Sequence, residues 1–284
     1  MSAVAIVTDS TSYLPRGWAA ERGIWVVPVQ VIVGGRPYDE TDDDQADRVA
    51  EALRDWHPVT TSRPSPERFG RALQQAAEQG HDSAVIATLS AAMSATYESA
   101  LLAAKESPIP VEVVDSGTIA MGLGFAVLHG ARAAADGWSA EQVAGLIDER
   151  AHRAEVTFYV DTLEYLRRGG RIGSARAAVG QALQVKPLLT VREGKVEQLE
   201  RVRTPGRALA RLEELAVDAA TRLVSAEVAV QHLAAPERAA TLADRLADRL
   251  PGTTVVQCPV GGVVGAHVGP GMVAVVVAPG DLRP

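Results

Sequence analysis

Three arginines surround a Gly-Gly pair in the segment LEYLRRGGRIGSA, residues 163–175, directly after a short apolar run. Guanidinium groups pair well with phosphates and carboxylates, and glycine lets a backbone approach a ligand closely. The segment lacks the lysine and the adjacent serine or threonine of a nucleotide-binding phosphate loop. It therefore indicates a site for an anion or a partner protein, while a helix end with a flexible exit is the simpler interpretation.

A second group of candidates consists of short hydroxyl side chains. Thr61 and Ser62 stand in TTSRPSP, and Ser94 opens a helical pattern at 94–105. Hydroxyls and the free N–H groups of a helix N-terminus can hold the oxygens of an anion, and they also serve as ordinary helix caps. This group supplies hydrogen bonds but no obvious base.

His267 lies in the glycine-rich segment VVGAHVGPGMV, residues 263–273. A neutral imidazole donates one hydrogen bond and accepts another, although a buried histidine in a turn is the simpler interpretation. Cys258 is the one cysteine, which excludes an intramolecular disulfide and a multi-thiolate metal site. The acidic run at 42–44 lacks the glycine and distal glutamate of a calcium loop. We therefore predict neither a metal nor a cofactor.

The elements around these candidates alternate in the first half of the chain. Strands are predicted at 4–7, 24–33, 83–89 and 111–114, and helices at 44–55, 65–79, 94–105 and 118–135. The apolar character of the strands predicts a parallel sheet that is covered on both faces. Ligands bind beyond the carboxyl ends of such strands, where Asp9, Ser94 and Asp115 would lie.

The second half changes in character. Strands are predicted at 155–160, 226–232, 253–258 and 272–278, helices at 206–222 and 236–250, and a hairpin at 187–201 with its turn at Glu193-Gly194. We predict an α/β protein of two domains. Residues 1–152 would form a parallel α/β domain, and residues 153–284 an α/β domain with a mixed or antiparallel sheet.

Composition narrows the class of protein. The chain has 284 residues, of which 47% are hydrophobic and 22% charged, so it should fold rather than be disordered. Its net charge of −7, without a long basic stripe, argues against binding to nucleic acid. No signal peptide or membrane-spanning segment is evident. We expect a soluble, cytoplasmic protein, with a monomer favoured.

Seven segments, taken together and in order, resemble the DegV family. They are VTDST (7–11), TSRPSP (61–66), SAAMSATY (90–97), VVDS (113–116), LEYLRRGGRIG (163–173), RVRT (201–204) and GAHVGPGM (265–272). The resemblance spans essentially the whole chain, and the segments at 163–173 and 265–272 are the most specific.

The resemblance implies a function. Such a protein would hold one long-chain fatty acid in a buried tunnel between or within the two domains. A separate ATP-dependent kinase subunit would phosphorylate the bound carboxylate to an acyl phosphate, which feeds phospholipid synthesis. The protein would then be the lipid-binding subunit of a fatty acid kinase, with no catalytic centre of its own and at most transient contact with the membrane.

The resemblance also assigns residues by motif. Asp9 and Asp115 would repel a carboxylate, so they are assigned to capping and to orienting neighbours such as His267. Arg171 and Arg203 would face the phosphate and the kinase, although the choice between Arg171 and Arg168 for the head group stays open. Four residues would hold the carboxylate of the fatty acid: Thr61, Ser62, Ser94 and His267.

The sequence departs from the family at four positions, and other functions remain as alternatives. Ala92 and Ala95 stand where the family often has glycine, and Arg63 stands where it commonly has glutamine. Ser174 replaces a frequent basic residue, which puts the kinase-docking surface in question. The alternatives are a regulatory lipid sensor, and a stand-alone hydrolase or transferase that would use His267 with Ser94 or Thr61.

Overall fold

The computed structural model describes residues 3–40, 45–173 and 186–280. Ser174 therefore lies outside the described residues. The chain divides into two compact units. The first unit comprises residues 1–30 and 62–152, and the second comprises residues 31–61 and 153–284. Residues 31–61, which were assigned from sequence to the N-terminal domain, thus lie in the second unit.

The strands are numbered in chain order. They are β1 Val4–Asp9, β2 Ile24–Val27, β3 Gln30–Val33, β4 Arg36–Asp39, β5 Val59–Ser62, β6 Ser83–Thr88, β7 Val111–Asp115, β8 Glu155–Tyr159, β9 Lys186–Arg192, β10 Lys195–Val202, β11 Ala226–His232, β12 Thr254–Pro259 and β13 Val273–Pro279.

The helices are numbered in the same way, and a 3₁₀ turn occupies Ser10–Ser12. They are α1 Trp18–Glu21, α2 Gln45–Arg54, α3 Pro66–Glu78, α4 Thr96–Lys105, α5 Met121–Ala135, α6 Ala140–His152, α7 Glu164–Arg168, α8 Pro205–Thr221, α9 Pro236–Arg249 and α10 Gly262–Val268.

The first unit is built on a parallel sheet of order β2-β1-β6-β7. Every residue of β1 and β6 is buried, because helices cover both faces of these central strands. One face packs against α5, through Ile6, Val85 and Leu123 among others. The opposite face packs against α3, through residues that include Val7, Ile86, Phe69 and Leu73.

Helix α5 lies close to the turn that follows β1. A Cβ atom at Gly124 would come within 2.6 Å of the Ser12 carbonyl oxygen, so only glycine fits there. The Ala120 N–H donates to the Thr11 carbonyl at 2.9 Å. Ala120 itself has φ 60° and ψ −146°, a strained conformation for a residue with a side chain. The start of α5 therefore holds the carboxyl end of β1 in place.

The second unit contains a mixed sheet of order β10-β9-β8-β13-β11-β12. Strands β11 and β12 are parallel, and the remaining pairs are antiparallel. The predicted hairpin is confirmed, since Glu193 and Gly194 join β9 to β10 with φ 47° and 73°, as a type I′ turn requires. Residues 31–61 contribute α2 and most of a separate three-stranded sheet of order β4-β3-β5. The predicted fold class, a parallel sheet followed by a mixed sheet, is thus confirmed.

His267 lies in a helix rather than in the turn that its glycine-rich surroundings suggested. Helix α10 runs over Gly262–Val268. A Cβ at Gly265 would lie 3.1 Å from two methyl carbons of Leu233 and 3.6 Å from a methyl of Val49. Close packing against α2 and the end of β11, rather than helix propensity, therefore explains the glycine at this position.

Candidate functional site

Thr61 and His267 come together in the second unit, although 206 residues separate them along the chain. Strand β5 presents Thr61, and α10 presents His267. The Thr61 Oγ1 and His267 Nε2 atoms lie 2.9 Å apart, within hydrogen-bonding distance. Two of the four predicted carboxylate ligands are therefore direct neighbours.

The imidazole of His267 is held in its neutral form. Burial, and then the positive charge of Arg171, lowers its pKa to about 4. The Nδ1 atom is buried and has no hydrogen-bond partner among the described residues. Burial of an N–H group that has no acceptor costs more free energy than burial of an unprotonated ring nitrogen, which is a weak acceptor. We therefore assign the proton to Nε2. The Nε2–H group then donates to Thr61 Oγ1, which leaves the threonine hydroxyl proton for another acceptor.

Gly169 makes room for this imidazole ring. A Cβ atom at Gly169 would lie 2.0 Å from His267 Nδ1, so the ring packs directly on the glycine backbone. Any side chain at 169 would displace the ring from Thr61. The second glycine of the RRGG sequence, Gly170, serves the turn instead, because its φ is 70°.

Two further contacts join the same two segments. The ring of Tyr165 lies over Gly269, where a Cβ atom would be 2.1 Å from Tyr165 Cδ2. The carboxylate of Asp161 lies over Gly271, where a Cβ atom would be 2.2 Å from Asp161 Oδ2. We call this set of contacts the glycine zipper: Asp161–Gly271, Tyr165–Gly269 and Gly169–His267.

Asp161 fixes one end of the glycine zipper. The Tyr159 hydroxyl donates to Asp161 Oδ1, and burial together with that carboxylate raises the pKa of Tyr159 well above its usual value. The Lys186 ammonium donates to the Asp161 carbonyl at 3.1 Å. Arg238 lies 3.8 Å from Asp161 Oδ2. The segment that carries the arginines is thus attached firmly to β8 and β9.

The arginines of this segment have different surroundings. Arg167 and Arg168 both pair with Glu164 at 2.7 Å, and their hydrogen bonds lower the pKa of Glu164 to about 2. Arg171 is exposed, donates to the Gly169 carbonyl at 2.5 Å, and acts electrostatically on His267. Arg171 is therefore the arginine whose charge reaches the imidazole.

Arg203 directly follows β10, in the short connection to α8, and its side chain is exposed. Within the described ranges it has no hydrogen bond or ion pair. Thr204, the next residue, caps α8 by accepting from the Arg207 N–H at 3.2 Å. The motif RVRT thus supplies one structural cap and one uncommitted guanidinium.

Ser62 and Ser94 lie in the first unit. The Ser94 hydroxyl lies 2.9 Å from the Thr96 hydroxyl, and α4 begins at Thr96 without a side-chain cap. The Ser62 hydroxyl makes a long contact of 3.4 Å to the Arg63 carbonyl. Arg63 in turn donates to the Ala95 carbonyl at 3.3 Å, which connects the two hydroxyl-bearing segments.

Asp9 caps the 3₁₀ turn at Ser10–Ser12, as predicted, while Asp115 accepts from loop N–H groups, and the predicted orienting of His267 stays a prediction. Asp9 is fully buried and accepts hydrogen bonds from the Thr11 N–H at 2.9 Å and the Leu89 N–H at 2.8 Å. Burial raises its pKa. Asp115 accepts from the N–H groups of Ala91 and Gly117 at 2.9 and 3.1 Å. Both carboxylates therefore fix the loops at the carboxyl edge of the sheet.

The two alanine departures introduce no backbone strain. Ala95 has φ −76°, and neither Ala92 nor Ala95 is among the residues with positive φ.

The described residues contain no cluster of three or more histidine, cysteine or acidic side chains that could hold a metal ion. Among them, too, no helix is both long and apolar enough to cross a membrane.

The Thr61–His267 pair differs from the nucleophile and base of a hydrolase. A catalytic histidine needs a pKa near the working pH and a third group that orients its ring. The pKa of His267 is lowered to about 4, and its Nδ1 has no described partner. The pair is therefore better suited to hydrogen bonding than to proton abstraction.

Comparison with known proteins identifies the family. The DegV family model matches residues 3–280. The chain belongs to the DegV family. A DegV domain-containing protein of Streptomyces coelicolor is 49% identical over 276 residues, which are 97% of this chain and 98% of the relative.

Solved DegV structures share the fold over the full chain. A fatty-acid-binding DegV family protein from Thermus thermophilus has a TM-score of 0.90 and 32% identity, with 98% of this chain and 99% of that chain covered. DegV from Bacillus subtilis, described as a fatty acid binding protein, has a TM-score of 0.89 and 28% identity, with 99% and 100% covered. The predicted membership of the DegV family is confirmed.

Sequence reasoning missed the glycine zipper of this DegV chain. Its signal was present as spacing. Residues 161, 165 and 169 lie one helical turn apart, and residues 267, 269 and 271 lie two apart. Two such series can run antiparallel and meet one to one. This pairing can be predicted only when the geometry of the loops is known.

Proposed function

We propose that this protein binds one long-chain fatty acid and presents its carboxylate to a separate ATP-dependent kinase subunit. The kinase would form an acyl phosphate that feeds phospholipid synthesis. The observation that carries the proposal is the neutral, half-buried His267 hydrogen-bonded to Thr61 at 2.9 Å. Relatives from Thermus thermophilus and Bacillus subtilis that bind fatty acids support the choice of ligand.

The head group would be held by neutral donors. With the proton of His267 on Nε2, the Thr61 hydroxyl is oriented to donate to a carboxylate oxygen. Ser62 and Ser94 would provide the other hydroxyls. Neutral hydrogen bonds hold a carboxylate without neutralising it, so it stays nucleophilic enough to attack a phosphoryl group.

The arginines would act on the phosphoryl group rather than on the free acid. Arg171 is exposed and influences His267, and Arg203 is exposed and uncommitted within the described ranges. Guanidinium groups form bidentate, charge-assisted hydrogen bonds with phosphates and stabilise charge that develops during transfer. Both are therefore proposed to face the phosphate and the kinase.

The acyl tail would supply most of the affinity. A chain of sixteen to eighteen carbons, buried at about 0.8 kcal/mol per methylene, gains roughly 10 kcal/mol before the costs of binding. Only apolar walls are needed. The apolar, glycine-bearing stretch 117–131, which includes most of α5, is the proposed wall.

A reconstituted kinase assay tests the role of presenting subunit. We expect acyl phosphate to form only when fatty acid, ATP, kinase subunit and this protein are all present. Ser94→Ala and His267→Ala should lower that turnover while the circular dichroism spectrum stays unchanged. Turnover at the normal rate in both variants, or hydrolysis of acyl esters by the isolated protein, would show that the proposal is wrong.

A further inference from the structure

Helix α10, which carries His267, begins without a cap of its own. Its N-cap residue is Gly261, which has no side chain to accept from the first N–H groups of the helix. Those N–H groups have no partner within the helix. In most helices a serine, threonine, aspartate or asparagine at the N-cap accepts from one of them. An acceptor for α10 must therefore come from elsewhere in the chain.

Glu40 supplies that acceptor, although 223 residues separate it from the helix. Its Oε1 atom accepts from the Val263 N–H at 2.7 Å. Val263 is the second residue of α10, a position that an N-cap side chain ordinarily serves. The carboxylate also lies at the positive end of the helix dipole, which favours a negative charge there. Glu40 is half-buried, so water competes less for this bond than it would on an open surface.

The sheet that leads to Glu40 also holds the other end of α10. Glu40 directly follows β4 and Thr61 lies in β5, and these two strands flank β3 in the three-stranded sheet. Thr61 contacts His267, in the last turn of α10, at 2.9 Å. Between these two bonds, a Cβ atom at Gly265 would lie 3.6 Å from a methyl of Val49 in α2. The segment that carries Glu40 and Thr61 therefore contacts α10 at both ends and in the middle.

The two hydrogen bonds are close enough to depend on each other. Val263 and His267 are four residues apart, so about 6 Å of helix rise separates them. Because α10 is so short, a displacement of its first turn moves the imidazole as well. Hydrogen bonds weaken beyond about 3.2 Å, so the bond between Thr61 and His267 tolerates little movement.

We propose that Glu40 is a positioning residue for the head-group site, in which its Oε1 atom fixes the start of α10 and thereby holds His267 against Thr61. A serine at the N-cap would stabilise the helix without relating its position to β5. The cap from Glu40 does both, because it comes from the same sheet as Thr61. The effect on fatty acid binding rests on the proposed function, whereas the effect on the imidazole needs no ligand.

Three substitutions at one position separate the hydrogen bond from the charge. Glu40→Gln keeps the reach of the acceptor without the charge. Glu40→Asp keeps the charge on a side chain that is one methylene shorter, and Glu40→Ala removes both. The control is Glu51→Ala, which removes an exposed carboxylate from α2 in the same segment.

NMR of the ¹⁵N-labelled imidazole measures the position of His267 in delipidated protein. Wild type, Glu40→Gln and Glu51→Ala should show the neutral ring with its proton on Nε2. In Glu40→Asp and Glu40→Ala the Nε2 signal should shift and the two tautomers should mix, because the bond to Thr61 loosens. A cap that only stabilised the fold would lower Tm and leave these signals unchanged.

Titration with a fluorescent fatty acid measures the consequence for binding. Affinity should fall by about threefold to tenfold in Glu40→Asp and Glu40→Ala, which lies within the contribution of one helix cap. It should stay near the wild-type value in Glu40→Gln and in Glu51→Ala.

The proposal is overturned if the imidazole signals of Glu40→Ala match those of wild type, or if Glu51→Ala changes them as much. It is also overturned if Glu40→Asp keeps the wild-type signals and Glu40→Gln does not, since charge rather than the bond would then matter. Should Glu40→Ala fail to fold, the comparison of Gln with Asp decides in the same way. A protein that binds no fatty acid, but whose His267 signals follow Glu40 as expected, would contradict the proposed function and support this inference.

Discussion

At the scale of single residues, the proposed head-group site depends on one hydroxyl and one imidazole. Thr61 is an ordinary strand residue until His267, brought from the far end of the chain, fixes its hydroxyl at 2.9 Å. Burial keeps that histidine neutral. In the proposed function, the Thr61 hydroxyl, held by a neutral histidine, would bind the carboxylate without the charge of a lysine or an arginine.

Removal of the Thr61 hydroxyl should weaken fatty acid binding. Thr61→Val keeps the side-chain volume, and a hydrogen bond to a carboxylate contributes roughly 1.5–3 kcal/mol, so we expect affinity to fall by about tenfold or more. The matched control is Thr60→Val, since neighbouring side chains on a strand point to opposite faces. Titration with a fluorescent fatty acid measures both, and equal affinities for the two variants would contradict the assignment.

The neutral histidine also predicts a dependence of stability on pH. The pKa of His267 falls from 6.5 to about 4 on folding, so the unfolded chain takes up the proton first as pH drops. His267 therefore costs nothing above pH 6.5 and progressively destabilises the fold down to about pH 4, by about 3 kcal/mol. Urea unfolding of wild type and His267→Gln measures the free energy of unfolding of each, and the difference between them should change over this pH range. Parallel plots of the two free energies against pH would rule out the lowered pKa.

At the scale of elements, the glycine zipper positions the site. It joins the loop around α7 to α10 and the residues after it through contacts that only glycine permits. Most elements follow from sequence patterns, since apolar runs and helical periodicity predicted β6, β7, α3, α8 and α9 to within a few residues. The glycine zipper could not be predicted from such patterns, because it depends on which loops contact each other in the folded chain.

A pair of glycine substitutions separates close packing from backbone strain. Gly269 and Gly252 have φ 78° and 84°, so alanine is strained at both, but only at Gly269 would the new Cβ meet a side chain. We expect Gly252→Ala to cost about 1 kcal/mol, and Gly269→Ala to cost an additional 1–3 kcal/mol or so from overpacking against Tyr165. Thermal unfolding measures both, and equal losses would mean that the zipper adds nothing to stability.

At the scale of the whole molecule, the chain enters the second unit twice. The strand predicted at 24–33 is in fact two, β2 and β3, which lie in different sheets. Pro28 stands between them and lacks the N–H that a continuous ladder needs. The proline was visible in the sequence, but the pairing of β3 with β4 and β5 depends on distant contacts. Residues 31–61 therefore carry Thr61 into the same unit as His267.

The arginines in and around α7 form a small charged surface in the second unit. A chain with a net charge of −7 concentrates arginines in and around α7, and two of them are partly neutralised by Glu164. Arg171 is the one whose charge reaches His267. Charge reversal in Arg171→Glu should thus raise the pKa of His267, which NMR titration of the imidazole would detect; an unchanged pKa would place Arg171 too far away to matter.

Mass spectrometry of the purified protein tests the central claim most directly. Protein produced in bacteria is denatured, extracted and analysed for lipid, and the intact complex is weighed under native conditions. The account predicts one long-chain fatty acid per chain, released on unfolding and depleted in Thr61→Val but not in Thr60→Val. A folded protein that carries no fatty acid, and takes up none when long-chain acids are added, would contradict it.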